Sequence, residues 1–339
     1  MIIRQISPGR RYFNSRPLEQ PKQRSFKKLF VVILAITVVC ISWLFLGTSH
    51  ASPIGVPVKS GWSGYCLDDY RDKTVADNQV DIWPCNNTQA QDWALSLTQI
   101  RHGTSQCLTV NTAAKIDLDD CSDSANQVWL KDSDGYINPN SGLCLGAPSA
   151  SQGALLELQI CSDLSSSSRA WSTSFDYVNY KCGNDQASSV ACYAVKEWMS
   201  WQANPADHGA MLNNYTGQAA YEEWCADFVS YVFKEAGYPF TNGNYAGWDE
   251  NIASQIQNQG FTYHDANGYT PHVGDEAFFD YPGGHVEIVV SGGKSPTFVF
   301  GNSNFTDPTT GNGGMATNTR LSDSSLGVVQ YYLSPNSST

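Results

Sequence analysis

Two short segments near the C-terminal end carry residue types that could do covalent chemistry: Trp224-Cys225-Ala226-Asp227-Phe228-Val229 and Gly284-His285-Val286-Glu287-Ile288-Val289-Val290. The first sets a cysteine in a helical pattern, the second a histidine at the mouth of a strand. A free thiol with a pKa near 8.5 is only partly ionised at neutral pH, and a neighbouring imidazole raises its thiolate fraction. Such a thiolate attacks an amide carbonyl, the imidazolium protonates the leaving amine, and water then releases the acyl group. Each residue alone has a bland reading, a packed core cysteine and a structural histidine. Their joint occurrence favours the chemical one.

The cysteine count points the same way. Of ten cysteines, Cys40 sits in an apolar run and eight fall into close neighbours: Cys66 with Cys85, Cys107 with Cys121, Cys144 with Cys161, and Cys182 with Cys192. Spacing alone does not fix connectivity, but four local bridges are the economical assignment in an oxidising compartment. Cys225 is then left without a disulfide partner.

The elements that must position these groups are legible in outline. Val190, Ala194, Trp198 and Trp201 recur near the helical period, which predicts a helix over 190–202. A second helix is expected over 218–236, ending at Gly237 with Pro239 beyond, and a third over 248–257. On this reading Cys225 lies in the first half of its helix, where free amides and the dipole favour a thiolate. Strands are expected at 276–279, 285–290, 297–300 and 326–333, separated by Gly- and Pro-rich turns. Helices first and an antiparallel sheet after make an α+β domain.

Trp224-Cys225, Pro271-His272-Val273-Gly274-Asp275, Gly284-His285-Val286 and the pair Gly301-Asn302, in that order over about 150 residues, resemble the CHAP domain. That is a papain-like cysteine amidohydrolase or peptidase of the NlpC/P60 superfamily. The resemblance implies Cys225 as nucleophile and His285 as base. Several CHAP proteins carry a glutamate two residues before the asparagine, where this chain has Phe300. The orienting third group is then expected to be Asn302. The alternative is Glu287, two residues after His285 and so on the same strand face. For the oxyanion, the Cys225 amide is one donor and Tyr221 a weaker choice. Asp275 reads as structural, in a Pro-x-x-Gly-Asp turn. His208, His264 and His272 show no tight ligand spacing with Asp207, Asp265 or Asp275, so neither a metal nor another cofactor is expected.

Upstream, the chain repeats itself three times. The units open at Tyr65-Cys66-Leu67-Asp68, Gln106-Cys107-Leu108-Thr109 and Leu143-Cys144-Leu145-Gly146, and close on Gln91-Asp92-Trp93, Gln127-Val128-Trp129 and Arg169-Ala170-Trp171. Short alternating strands between turn residues describe an all-β module. The Cys-Leu openings and Gln-x-Trp closures resemble the ricin-B-type β-trefoil lectins, a likeness that makes Trp93, Trp129 and Trp171 core residues. Sugar sites in that family use an early aspartate, an aromatic platform and an asparagine before Gln-x-Trp. The first lobe has Asp68 and Trp83 but Ala90 in the third place; the second keeps only Asn126; the third, with Gly146, Gln159 and Ser168, keeps none. Asp68 with Trp83 is therefore the expected carbohydrate site, a carboxylate for hydroxyls and an indole for the apolar ring face.

Residues 29–46 form an uncharged apolar run behind eight basic residues and one acid, the pattern of either an export signal or a membrane anchor. Without residues 1–28 the chain holds 12 basic against 31 acidic side chains, a net charge of −19. That balance argues against nucleic acid as a partner. The expected organisation is multidomain: a basic segment at 1–28, a signal or anchor at 29–46, a β-trefoil at 55–175, a connector at 176–189 and an α+β papain-like (CHAP) domain at 190–335. It implies a secreted protein, or one anchored on the outer side of the cytoplasmic membrane, that binds carbohydrate and cleaves peptidoglycan at a peptide-stem amide, as amidase or endopeptidase. Two alternatives stand: a non-catalytic wall- or glycan-binding protein, and a cysteine peptidase acting on proteins.

Overall fold

The computed structural model describes residues 55–336 apart from short internal segments at 112–114, 164, 178, 218–222, 241–248, 283, 304, 320–321 and 324–326. The expected basic segment, the apolar run at 29–46 and Tyr221 lie outside the described residues. No described helix is long and apolar enough to cross a membrane.

The first part is an all-β trefoil whose three lobes solve one packing problem in one way. In each, the strand carrying Cys-Leu pairs antiparallel with the strand leading to the second cysteine: Tyr65–Asp69 with Asn78–Pro84, Gln106–Val110 with Ile116–Asp120, and Leu143–Gly146 with Glu157–Gln159. Disulfides Cys66–Cys85, Cys107–Cys121 and Cys144–Cys161 tie these hairpins. Bridges over loops of about 15 residues contribute on the order of 3 kcal/mol each by restricting the unfolded chain. Leu67, Leu108 and Leu145 are fully buried with Trp93, Trp129 and Trp171. Each indole Nε1 donates to the carbonyl of its own lobe's leucine, at 3.0, 2.8 and 3.0 Å. A buried indole N–H needs such a partner, so the repeat conserves the bond along with the shape.

The second part is α+β. Its helices are α1 (Gln186–Ala203), α2 (His208–Thr216), α3 (Cys225–Glu235) and α4 (Asp249–Asn258). Its strands are β1 (Thr262–Asp265), β2 (Glu276–Phe279), β3 (His285–Ser291), β4 (Thr297–Phe300), β5 (Ala316–Asn318), β6 (Ser322–Asp323) and β7 (Gly327–Ser334), in the order β1-β7-β2-β3-β4-β5 with β6 on β7. Every pairing is antiparallel. Even-numbered residues of β3, Val286, Ile288 and Val290, join Phe228, Val229 and Val232 of α3 in one core; Val289, on the other face, packs with Phe279, Phe298 and Tyr332.

The segment expected as connector is packed. Cys182–Cys192 staples it to α1, Lys196 Nζ donates to the Tyr180 carbonyl at 3.1 Å, and the Tyr177 and Tyr136 hydroxyls meet at 2.9 Å. Leu97, Val128 and Leu130 of the trefoil share a core cluster with Val190, Ala191 and Ala194 of α1. The two parts thus bury apolar surface against each other.

Candidate active site and glycan cleft

The sequence pattern carries the cysteine helix back to 218, yet Glu223 and Trp224 are non-helical and α3 begins at Cys225. The reason is that Trp224 turns inward. It is fully buried, its Nε1 donates to the Gly313 carbonyl at 3.1 Å, and its ring lies so close to Gly301 that a Cβ there would come within 2.3 Å. Cys225 therefore sits on the first helical residue, where backbone N–H groups have no intrahelical acceptor and the dipole is most favourable to an anion. It is the one cysteine outside a disulfide among the described residues, and it is buried.

His285 opens β3 and is buried. The Cys225 thiol and the Glu287 carboxylate both act on it electrostatically. Glu287 Oε1 lies 3.3 Å from His285 Nε2. Burial opposes a charged imidazole here, but Cys225 and Glu287 outweigh it and push His285 up to about 10. The direction of that shift favours the protonated imidazole. Phe300, where a carboxylate was possible, presents its ring to the imidazole at 5.1 Å and 89°. The carboxylate near the imidazole is that of Glu287, two residues along β3 from His285.

Asn302 is placed differently. It adopts φ +60°, a left-handed conformation that asparagine tolerates, and its Oδ1 faces Gly313. Among the described residues no hydrogen bond links it to His285. Gly301 allows the indole of Trp224 to approach, and Asn302 turns the chain after β4. Asp275 locks its turn by accepting from the His272 amide and the Tyr269 hydroxyl, at 2.8 and 3.0 Å.

In the first trefoil lobe a cleft of about 360 Å³ is lined by Asp68, Asp81, Trp83, Tyr70 and Ala90 among others. Asp68 accepts from Gln91 Nε2 at 2.9 Å. Burial pushes its carboxyl up, and that hydrogen bond holds it down in part. Asp81, fully buried on the next strand, is pushed up to about 7 by burial and by the charges of Asp68 and Asp69.

Comparison with known proteins agrees with both geometries. The family model for the ricin-type β-trefoil lectin domain matches residues 55–171, and that for the CHAP domain matches residues 213–304. The chain carries a β-trefoil lectin domain followed by a CHAP domain.

Among curated proteins it is similar to the ribosome-inactivating protein SNAIf of Sambucus nigra, 34% identical over 103 residues, which cover 30% of this chain and 18% of that protein. It is also similar to the agglutinin of Ricinus communis, 29% identical over 29% of this chain and 19% of that protein. The chain thus spans about a fifth of the length of these relatives. Among solved structures, the β-trefoil lectin of the Vibrio vulnificus hemolysin/cytolysin, with N-acetyl-D-lactosamine bound, aligns at 23% identity and a TM-score of 0.32, covering 38% of this chain and all of that one. The agglutinin of Abrus precatorius aligns at 27% identity and 0.32, covering 40% of this chain and 54% of that one.

Within the CHAP domain the sequence reading missed one buried pair. His208, the first residue of α2, holds Asp307 Oδ2 through Nδ1 at 2.6 Å and the Trp201 carbonyl through Nε2 at 2.7 Å, and stacks on the Trp201 ring. Asp307 in turn accepts from the Thr309 and Thr310 amides. This clamp ties the helices to the loop after β4, the same loop that seats Trp224 beside Cys225. No local signal could reveal it, because the partners lie 99 residues apart.

Proposed function

We propose that the protein is an extracytoplasmic peptidoglycan hydrolase that cleaves a peptide-stem amide by cysteine catalysis and is held on its substrate by the lectin domain. A cysteine outside any disulfide, an imidazole and a carboxylate in one CHAP domain support cysteine-hydrolase chemistry in general. The observation that carries the reading is the Glu287 carboxylate 3.3 Å from the buried His285 imidazole, in the same domain as the buried Cys225 at the start of its helix.

In this mechanism the Cys225 thiolate adds to the amide carbonyl carbon. The resulting oxyanion is received by the free backbone amides at the start of α3. His285 gives its proton to the departing amine as the C–N bond breaks, leaving a thioester. The neutral imidazole then takes a proton from water, whose oxygen attacks the thioester carbonyl. The carboxylate product leaves and the thiolate–imidazolium pair is restored. Glu287 keeps the imidazole oriented through Nε2 and stabilises its charge. The lectin domain, with Asp68 and Trp83 in its first lobe, would bind glycan and raise the local enzyme concentration.

The test is digestion of purified peptidoglycan followed by mass analysis of the soluble fragments. Fragments cut at the muramoyl–alanine bond indicate an amidase, and cuts within the stem or cross-bridge an endopeptidase. Wall binding without any fragment from the wild type would return the protein to a non-catalytic wall-binding role. Cleavage of a protein substrate with an intact wall would make it a peptidase acting on proteins.

A further inference from the structure

The first trefoil lobe contains an acid that the protein leaves without a hydrogen-bond donor. Asp81 is 0% exposed, and among the described residues neither of its carboxylate oxygens has a hydrogen-bond partner. It stands directly across the hairpin from Asp68 in register, and both line the cleft together with Trp83. Residues opposite each other on paired strands share a face. Asp68 takes the Gln91 amide, so the unmet demand is at Asp81. The third lobe walls the acid in without answering it. A Cβ at Gly153 would stand 3.8 Å from Asp81 Oδ2 and 3.9 Å from the Trp83 ring, while the Gly153 amide donates to the Ile82 carbonyl. Arg71, a cation on the cleft wall, lies over the Tyr70 ring, and among the described residues it forms no ion pair with either acid.

A buried carboxylate without a donor is costly, and neighbouring acids add to that cost. A neutral sugar hydroxyl can offer one hydrogen bond, but it does nothing about the repulsion between Asp68 and Asp81. An ammonium group brings three N–H donors and a positive charge. On a sugar ring it also places a cation beside an indole face, a favourable pairing in its own right. The missing asparagine fits this view, since Ala90 offers no amide for a hydroxyl.

We propose that this cleft selects a glycan unit bearing a free amine, whose ammonium is received by Asp81 and Asp68 while Trp83 covers the ring. The inference rests on the reading of the cleft as a sugar site. The test titrates the full chain calorimetrically, at pH 6.5, with a β1,4-linked glucosamine tetramer and with its fully N-acetylated counterpart. The expected result is roughly tenfold or tighter binding of the free-amine form (~1.4 kcal/mol), with that preference lost in Asp81→Asn. Trp83→Ala should weaken both ligands, which diffuse attraction of a cation to an acidic protein would not predict. Equal or tighter binding of the acetylated tetramer overturns the inference and leaves the glycan reading standing, as does an unchanged preference in Asp81→Asn. Binding of neither tetramer, nor of insoluble wall, overturns both. Should Asp81→Asn not fold, the comparison of the two tetramers on the wild type decides alone.

Discussion

Asp81 and Glu287 are both fully buried carboxylates on antiparallel strands, each inside a candidate site. Glu287 faces an imidazole 3.3 Å away that its own charge helps to keep protonated. Asp81 faces Asp68 and a cleft, with no donor of its own. The difference separates two uses of burial. In the CHAP domain the acid is set against a basic group of the protein itself. In the lectin domain the balance is left open, and a ligand can complete it.

The largest effect should come from the nucleophile. Cys225→Ala is expected to lower peptidoglycan hydrolysis by about 10⁴-fold or more while leaving wall binding unchanged. Equal rates of fragment release from the two proteins would remove the covalent mechanism and with it one side of the comparison.

Next comes the carboxylate beside the imidazole. Glu287→Gln should reduce kcat by roughly 10²–10⁴-fold and move the alkaline limb of activity to lower pH. The sign follows from His285, which Cys225 and Glu287 hold up at about 10. The imidazolium persists through neutral pH and is lost as pH rises towards that value; with one supporting charge gone, it is lost earlier. A pH–rate profile identical to that of the wild type would count against an orienting role for Glu287.

Asp81→Asn tests the opposite case. The folded-state pKa of Asp81 lies above its unfolded value. Its contribution to stability is therefore complete below about pH 4 and is lost as pH rises through about 7. The amide variant should lack that decline and gain about 1–3 kcal/mol over the wild type at pH 8, read by denaturant titration across pH. A wild-type decline retained in the variant would mean that Asp81 is already balanced.

The smallest effect is expected at Asn302→Gly, which keeps the left-handed turn and should alter kcat by only about 2- to 3-fold, within the ordinary range for a substitution that leaves the backbone unstrained. A loss as deep as that of Glu287→Gln would transfer the orienting role to Asn302.

The legible parts of this protein are those whose cause is local. Cys-Leu and Gln-x-Trp recur because each lobe must bury one leucine and satisfy one indole, so the trefoil could be read from 65–171. The strand carrying His285 was visible as an apolar run, and strand alternation put Glu287 on the same face. The start of α3 was not visible, because Ala219 to Glu223 continue a helical pattern that Trp224 leaves by turning into the core. The pair Gly301-Asn302 was legible as a landmark but not as to its role. Its glycine admits the Trp224 ring and its asparagine adopts φ +60°.

By itself the sequence determined the domain order and made four local disulfides the economical pairing, with Cys225 outside them, because close-spaced thiols and repeated motifs are properties of short segments. Only the tertiary structure decided which side chain touches His285 Nε2, that His208 and Asp307 clamp the loop beside the nucleophile, and that Asp81 lacks a donor. Those are relations between residues distant in the chain, set by how strands and helices pack, and no local pattern encodes a partner that folding alone supplies or withholds.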